Sequence, residues 1–140
     1  MKILLPVDGS QYTKRMLGYV AAHEELFGSQ HEYVFATVVA PVPPHATHFI
    51  DRATLQSYYS DEADKVLTPV LKFAAQHGWS ARSMHLEGQA AEVLSELAKS
   101  QNVDLIVMGS HGHSALGNLI LGSVATGVLA RCATPVLLIR

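Results

Sequence analysis

Apolar positions along the chain fall into two kinds of run that take turns. Ile3 to Val7, Tyr33 to Val39, Val103 to Met108 and Val136 to Ile139 are short and nearly unbroken, as strands covered on both faces require. Trp79 to Leu86 alternates imperfectly and reads as a further strand. Between these runs, apolar residues recur at helical spacing. Met16, Leu17, Val20, Ala21 and Phe27 form one stripe, with Ser10 as its N-cap and Gly28 as its stop. The longest stripe contains Leu55, Tyr58, Tyr59, Ala63, Val66, Leu67, Val70, Leu71 and Ala74, and ends at Gly78. Pro69 inside it predicts a kink or a division near Lys65 to Pro69, because proline removes an intrahelical hydrogen bond. Ala90 to Ser100, with Val93, Leu94 and Leu97 inward, and Ser123 to Ala130 complete the helices; Thr134-Pro135 stops the last one. Val42 to Asp51, which holds Pro43, Pro44, His45 and His48, has no period and reads as a loop near the mouth of a pocket.

Five strands alternating with four helices through short connections predict parallel strands and right-handed crossovers. The fold class is therefore α/β, a doubly wound sheet with helices on both faces. No repeat, low-complexity tract or linker interrupts the pattern, and 140 residues of 49% apolar content predict a single domain over residues 1–140. A net charge of −2 leaves no basic surface for nucleic acid. The single cysteine, Cys132, excludes an internal disulfide. Met1 to Pro6 is too short for a signal peptide's apolar region, and no run approaches a membrane span, so a cytoplasmic protein without a membrane partner is expected.

The chemistry concentrates between Val103 and Thr126. A strand delivers the chain into Gly109, Ser110, His111 and Gly112, and Gly122-Ser123 then opens a helix. A helix start presents unpaired N–H groups and a positive dipole end, and glycines admit a phosphate to the main chain. In an open parallel sheet, ligands bind beyond the carboxyl ends of the strands where strand order reverses. If the first and fourth strands are neighbours there, Asp8 faces the glycine loop across one crevice. Taken alone, Asp8 reads equally as an Asx-turn or a helix cap.

The spacing G-2x-G-9x-G-S of Gly109, Gly112, Gly122 and Ser123 resembles the nucleotide-binding motif of the universal stress protein family. So do the start Ile3-Leu4-Leu5-Pro6-Val7-Asp8-Gly9-Ser10, the fourth strand with its loop, the run Leu121-Gly122-Ser123-Val124-Ala125 and the ending Thr134-Pro135-Val136-Leu137-Leu138-Ile139. The resemblance implies a Rossmann-like sheet of order 3-2-1-4-5 and binding of ATP, or AMP or ADP, with Mg²⁺ or Mn²⁺ on the phosphates. It places Asp8 and the backbone of Val38 at the adenine, with Val39 the alternative if the second strand shifts by one. Pro6, Val7, Met108 and Gly109 fall at the ribose, and Gly112, Gly122, Ser123 and Val124 at the phosphates. It also implies a homodimer through the edge strand Val136 to Ile139, where an apolar edge calls for pairing.

One departure stands out: no lysine or arginine occurs between Gly109 and Ala130, and His113 occupies the place where relatives often carry a basic residue. Phosphate charge then falls to main-chain N–H groups, Ser123, a bound cation and a partly charged His113, and triphosphate affinity should rise as pH falls from about 8 to 6.

Other features have plainer explanations. The pairs His111/His113 and His45/His48 are poor metal-ligand spacings, and no metal ligands are assigned. Cys132 reads as a small buried side chain, Gly127 as a close-packing site or incidental, and Tyr58 and Tyr59 as core or interface. The expected function is an ATP-binding stress-response module whose nucleotide state is read by an unknown protein partner. Hydrolysis should be slow or absent, since the P-loop lysine is missing. The alternative is a nucleotide-using enzyme, a phosphatase or adenylyl-transfer enzyme, with His111 or His113 as acid or base. A phosphorylated receiver domain fails on its parts: the third strand ends in Leu86-Glu87, and the last strand has no lysine.

Overall fold

In the computed structural model, which describes residues 1–113 and 120–140, the first apolar run forms β1 (Lys2–Pro6), whose Ile3, Leu4 and Leu5 are completely buried. The remaining strands are β2 (Glu32–Val39), β3 (Ser80–Glu87), β4 (Leu105–Gly109) and β5 (Val136–Ile139). They form one parallel sheet of order β3-β2-β1-β4-β5. Leu4 stands opposite Val34 on one side and Ile106 on the other, so β1 is central and apolar on both faces. This is the doubly wound α/β architecture and the strand order anticipated above.

The helices are α1 (Gln11–Ala22), α2 (Glu24–Phe27), α3 (Pro44–Thr47), α4 (Arg52–Gln76), α5 (Ala90–Ser100) and α6 (Ser123–Arg131). Because strand side chains alternate between faces, β1 supplies two cores. Ile3 and Leu5 join Met16, Leu17 and Val20 of α1 and Ala63, Leu67, Val70 and Ala74 of α4. Leu4 joins Ala91, Leu94 and Leu97 of α5 and Ala125 and Val128 of α6. Gly127 lets α5 and α6 close up, since a Cβ there would collide with the Cβ of Ala91. Cys132 packs, partly buried, at the edge of this second core.

Several boundaries differ from the pattern. The first helical stripe breaks at His23: its ring Nδ1–H donates to the Tyr19 carbonyl at 2.8 Å, taking the acceptor that its own N–H would use in a continuing helix. That N–H turns to Val20 instead, and α2 starts afresh before Gly28. The expected loop from Val42 to Asp51 contains the single turn α3, and Asp51 caps α4 by accepting from the Thr54 N–H at 2.7 Å. Of the kink or division expected near Pro69, division does not occur, and α4 runs unbroken through it. Pro69 and Lys65 both lie on the exposed side, so the carbonyl that loses its partner faces water. Tyr59 is buried and its hydroxyl accepts from the Val42 N–H, whereas Tyr58, expected on the same stripe, is 47% exposed. The fourth strand begins later than Val103 and includes Gly109, paired with Ile139. Val103 N–H instead closes the end of α5 by bonding to Ala98.

Candidate functional site

The carboxyl ends of β1, β2 and β4 open onto a cavity of about 560 Å³, the place where an open parallel sheet accommodates ligands. All eleven residues singled out from the sequence line it. Pro6 and Val7 come from the end of β1, Val38 from β2, Met108 and Gly109 from β4, Gly112 and His113 from the following loop, and Gly122, Ser123 and Val124 from the start of α6. Asp8 completes the set. Register decides between the two valines, because Val38 turns toward the α5–α6 core and the cavity while Val39 turns to the opposite face.

Asp8 is held by its own turn. Its Oδ1 accepts from the Ser10 N–H and from the Thr13 hydroxyl, each at 2.9 Å, and its N–H donates to Thr13 Oγ1 at 3.1 Å. This is the Asx-turn arrangement, and Ser10 caps α1 as its position suggested. Gly9 at φ +75° makes the turn, a conformation that other residues rarely adopt. The turn reading of Asp8 holds for Oδ1, while Oδ2 points toward Gly112. Partial burial alone would raise the Asp8 pKa, but the hydrogen bonds from Ser10 and Thr13, with the charge of His113 nearby, outweigh it. The carboxyl titrates below its ordinary value of 3.8.

The glycine loop is fastened at both ends of its described part. Buried Ser110 donates its N–H to the Ile139 carbonyl at 2.8 Å and accepts from the Gly122 N–H at 2.7 Å. His113 Nε2 donates to the Asp8 carbonyl at 2.6 Å. Much of the spacer between Gly112 and Gly122 lies outside the described residues. The glycines serve the protein's own packing, a demand separate from any path they leave for phosphate. A Cβ on Gly109 would stand 2.8 Å from Tyr12 Cβ, one on Gly112 would stand 2.6 Å from Asp8 Oδ2, and one on Gly122 would stand 3.0 Å from the Ser110 carbonyl oxygen.

At the start of α6 the Thr126 N–H bonds to the Gly122 carbonyl. The N–H groups of the first helical residues, Ser123 to Ala125, precede that bond and have no intrahelical acceptor. They lie beside the cavity with a positive dipole end behind them. His111 also lines the cavity; its Nδ1 is 2.9 Å from Ser110 Oγ, and its ring lies 5.0 Å from that of Tyr12. Sequence reasoning assigned no cavity role to Thr13, Ala90 or Leu94. Thr13 had one local signal, its place three residues after the cap, where a hydroxyl reaches back to the turn. Ala90 and Leu94 lay on a helix read only for its inward face.

Over residues 1–140 the chain matches the universal stress protein family. A relative from Thermus aquaticus, the universal stress protein in QAH/OAS sulfhydrylase 3'region, is 33% identical over 139 residues, 99% of this chain and 97% of its own. The solved structure of MJ0577, a universal stress protein of Methanocaldococcus jannaschii, superposes with a TM-score of 0.83 at 28% identity, covering 99% of this chain and 94% of that one. A universal stress protein from Archaeoglobus fulgidus, solved in complex with dAMP, shares the fold at a TM-score of 0.71 and 19% identity, covering 100% of this chain and 98% of that one. With a family match along its whole length and a relative that aligns from end to end, the chain belongs to the universal stress protein family.

Proposed function

We propose that the cavity holds an adenine nucleotide, ATP or its ADP and AMP relatives, and that the chain is a single nucleotide-binding domain working as a cytoplasmic stress-response module. The observation that carries this is the meeting of Asp8 and the start of α6 on one cavity, an acceptor for base or ribose on one side and helix N–H groups without an intrahelical acceptor on the other. A relative of the same fold that holds dAMP supports the choice of adenine. The base lies at Asp8 and the end of β2 near Val38, the ribose along Pro6, Val7, Met108 and Gly109, and the phosphates over Gly112 and the Gly122-Ser123-Val124 corner.

Mg²⁺ or Mn²⁺ rides on the phosphates. Asp8 is the one carboxylate among the described lining residues, and its Oδ1 is already committed to Ser10 and Thr13. Phosphate oxygens and water therefore supply most of the cation's ligands. Hydrolysis is slow or absent, and the nucleotide's presence is read by a protein partner. The chain works as a homodimer joined through β5. Denaturing the purified protein and identifying the released small molecule tests the central claim, with calorimetric titration of the emptied protein beside it. Recovery of an adenine nucleotide, or ATP binding by the emptied protein, is expected; an empty cavity that takes up neither ATP nor AMP overturns it.

A second reading, a nucleotide-using phosphatase or adenylyl-transfer enzyme, draws on His111, which lines the cavity with its Nδ1 bonded to the Ser110 hydroxyl. An imidazole so placed beside a nucleotide is the kind of group that exchanges a proton with it. Multiple turnover that disappears in His111→Ala would favour it over a binding module.

A further inference from the structure

Resting on the assignment of the cavity to a nucleotide, we infer that His113 is a latch: its Nε2–H to the Asp8 carbonyl holds the glycine loop shut across the cavity mouth and sets how long the nucleotide stays. The bond joins two turns 105 residues apart in sequence, at 2.6 Å. Gly112 makes it possible, because only a residue without a Cβ lets the loop lie against Asp8 Oδ2. Asp8 is a rigid strike plate, since Ser10 and Thr13 fix it from within its own turn.

The two ends of the described loop differ in how firmly they are held. Ser110 is buried and bonded to both the end of β5 and the start of α6, so it acts as the hinge. His113 is exposed and, among the described residues, reaches the β1–α1 turn through this one bond. Loss of this bond would part the loop from the β1–α1 turn beside the crevice between Asp8 and α6. This gives the histidine a positioning role separate from its charge. A carbonyl oxygen only accepts, so Nε2 carries a proton in the neutral and the charged ring alike, and the latch holds in both.

The two roles separate by substitution. Glutamine carries an amide N–H near the place of histidine Nε2, whereas asparagine reaches only to the place of Nδ1. His113→Gln keeps the donor and loses the charge; His113→Asn and His113→Ala lose both.

The test uses the full chain with a fluorescent N-methylanthraniloyl derivative of ATP at about pH 8.5, above the ordinary histidine range, so that charge does not enter the comparison, dissociation being followed by stopped flow in wild type and the three variants. Backbone hydrogen exchange over residues 8–10 and 109–113 is measured on the nucleotide-free proteins. Loss of the latch is expected to speed dissociation about tenfold in His113→Asn and His113→Ala, the worth of one well-formed hydrogen bond, with His113→Gln nearer to wild type. Exchange should rise in the same two variants and not in His113→Gln. Equal exchange in all four proteins overturns the latch, as does a His113→Gln variant indistinguishable from His113→Ala in both measurements. Faster exchange with unchanged dissociation overturns its control of residence time. A wild type that binds no nucleotide defeats the functional assignment and the residence claim with it, while exchange still decides whether the bond holds the loop.

Discussion

Gly122 donates its N–H to the Ser110 carbonyl at 2.7 Å, which draws the start of α6 against the loop leaving β4. Its φ of −71° is open to any residue, so proximity, not backbone conformation, demands glycine here. A Cβ would stand 3.0 Å from both the Ser110 carbonyl oxygen and His111 Cα, and backbone atoms on both sides have little room to give.

Gly122→Val should therefore destabilise the protein by about 1–3 kcal/mol, the usual cost of overpacking, besides abolishing nucleotide binding. Gly122→Ala should fall between. Urea denaturation at pH 7 reads the effect, and a valine variant with the wild-type midpoint would show that the loop has slack the geometry denies.

The positions of these glycines were legible in the sequence; the packing they answer was not. Spacing marks where a chain must pass closely, but it does not say whether the close neighbour is a ligand or, as at Gly109, the Cβ of Tyr12. The strands were legible because runs such as Ile3 to Val7 are apolar on both faces, which few other arrangements tolerate. Their order is not written in periodicity, and here it followed from the family resemblance. Where tertiary contacts decide, local pattern had nothing to offer. The break at His23 depends on a ring nitrogen reaching the Tyr19 carbonyl, and the survival of α4 at Pro69 depends on which side faces water. The pairing of His113 with Asp8 links parts of the chain that no window compares.

The Asp8 carboxyl has a folded-state pKa below 3.8, the net result of burial that raises it and hydrogen bonds from Ser10 and Thr13 that lower it further. A depressed carboxyl pKa stabilises the fold above the ordinary value, and that stabilisation is lost as pH falls through the folded-state value. Asp8→Asn keeps an acceptor for Ser10 but no charge. It should cost about 1 kcal/mol at pH 7. The gap to wild type should narrow as pH falls from about 5 to 3. Thermal melts across that range check this, and a gap independent of pH would remove the carboxylate from the balance.

Triphosphate affinity should increase as pH falls from about 8 to 6, the ordinary histidine range, and His113, whose Nε2 donates to the Asp8 carbonyl, is the cavity residue on which the effect should depend. One added charge beside the phosphates is worth roughly a threefold to tenfold change in Kd in a partly solvated site. His111 and Asp8 also line the cavity, and Asp8 stays ionised throughout this range. Calorimetry on wild type, His113→Gln and His111→Gln assigns the effect. It should vanish in the first variant and persist in the second; an undiminished slope in His113→Gln defeats the assignment.

Tyr33 is fully buried, stacks on Trp79 at 4.8 Å and donates its hydroxyl to the carbonyls of Phe27 and Gly28. Burial pushes its pKa up to about 12. A raised pKa of this kind stabilises the fold fully below the unfolded value near 10 and is lost as pH rises from about 10 to 12, because the unfolded chain ionises first. Tyr33→Phe should cost about 1–2 kcal/mol at neutral pH, since two carbonyls lose their donor. Above pH 10 it should lose stability less steeply than wild type. Parallel alkaline denaturation curves would contradict this.

The two edges of the sheet are built differently, and the difference says which one is suited to pairing. The edge strand β3 shows solvent the polar side chains of Ser80, Arg82, Ser83, His85 and Glu87, and such charges discourage a second strand. The opposite edge, β5, is Val136-Leu137-Leu138-Ile139, with no charge in it. The Pro135 carbonyl accepts from Ile106 of β4, and the Ile139 carbonyl accepts from Ser110 just beyond it. In a parallel ladder the bonding residues alternate, which turns the polar groups of Val136 and Leu138 toward the open side. A second copy pairing there about a two-fold axis would satisfy them and cover the apolar edge at once. Light scattering should give wild type the mass of a dimer and Leu138→Lys the mass of a monomer. Val136→Lys repeats the test at the other β5 residue whose backbone faces the open side, and because both side chains also touch the second core, a urea midpoint for each variant confirms that it is folded. Folded variants that keep the dimer mass would move the interface elsewhere and leave the β5 edge unexplained.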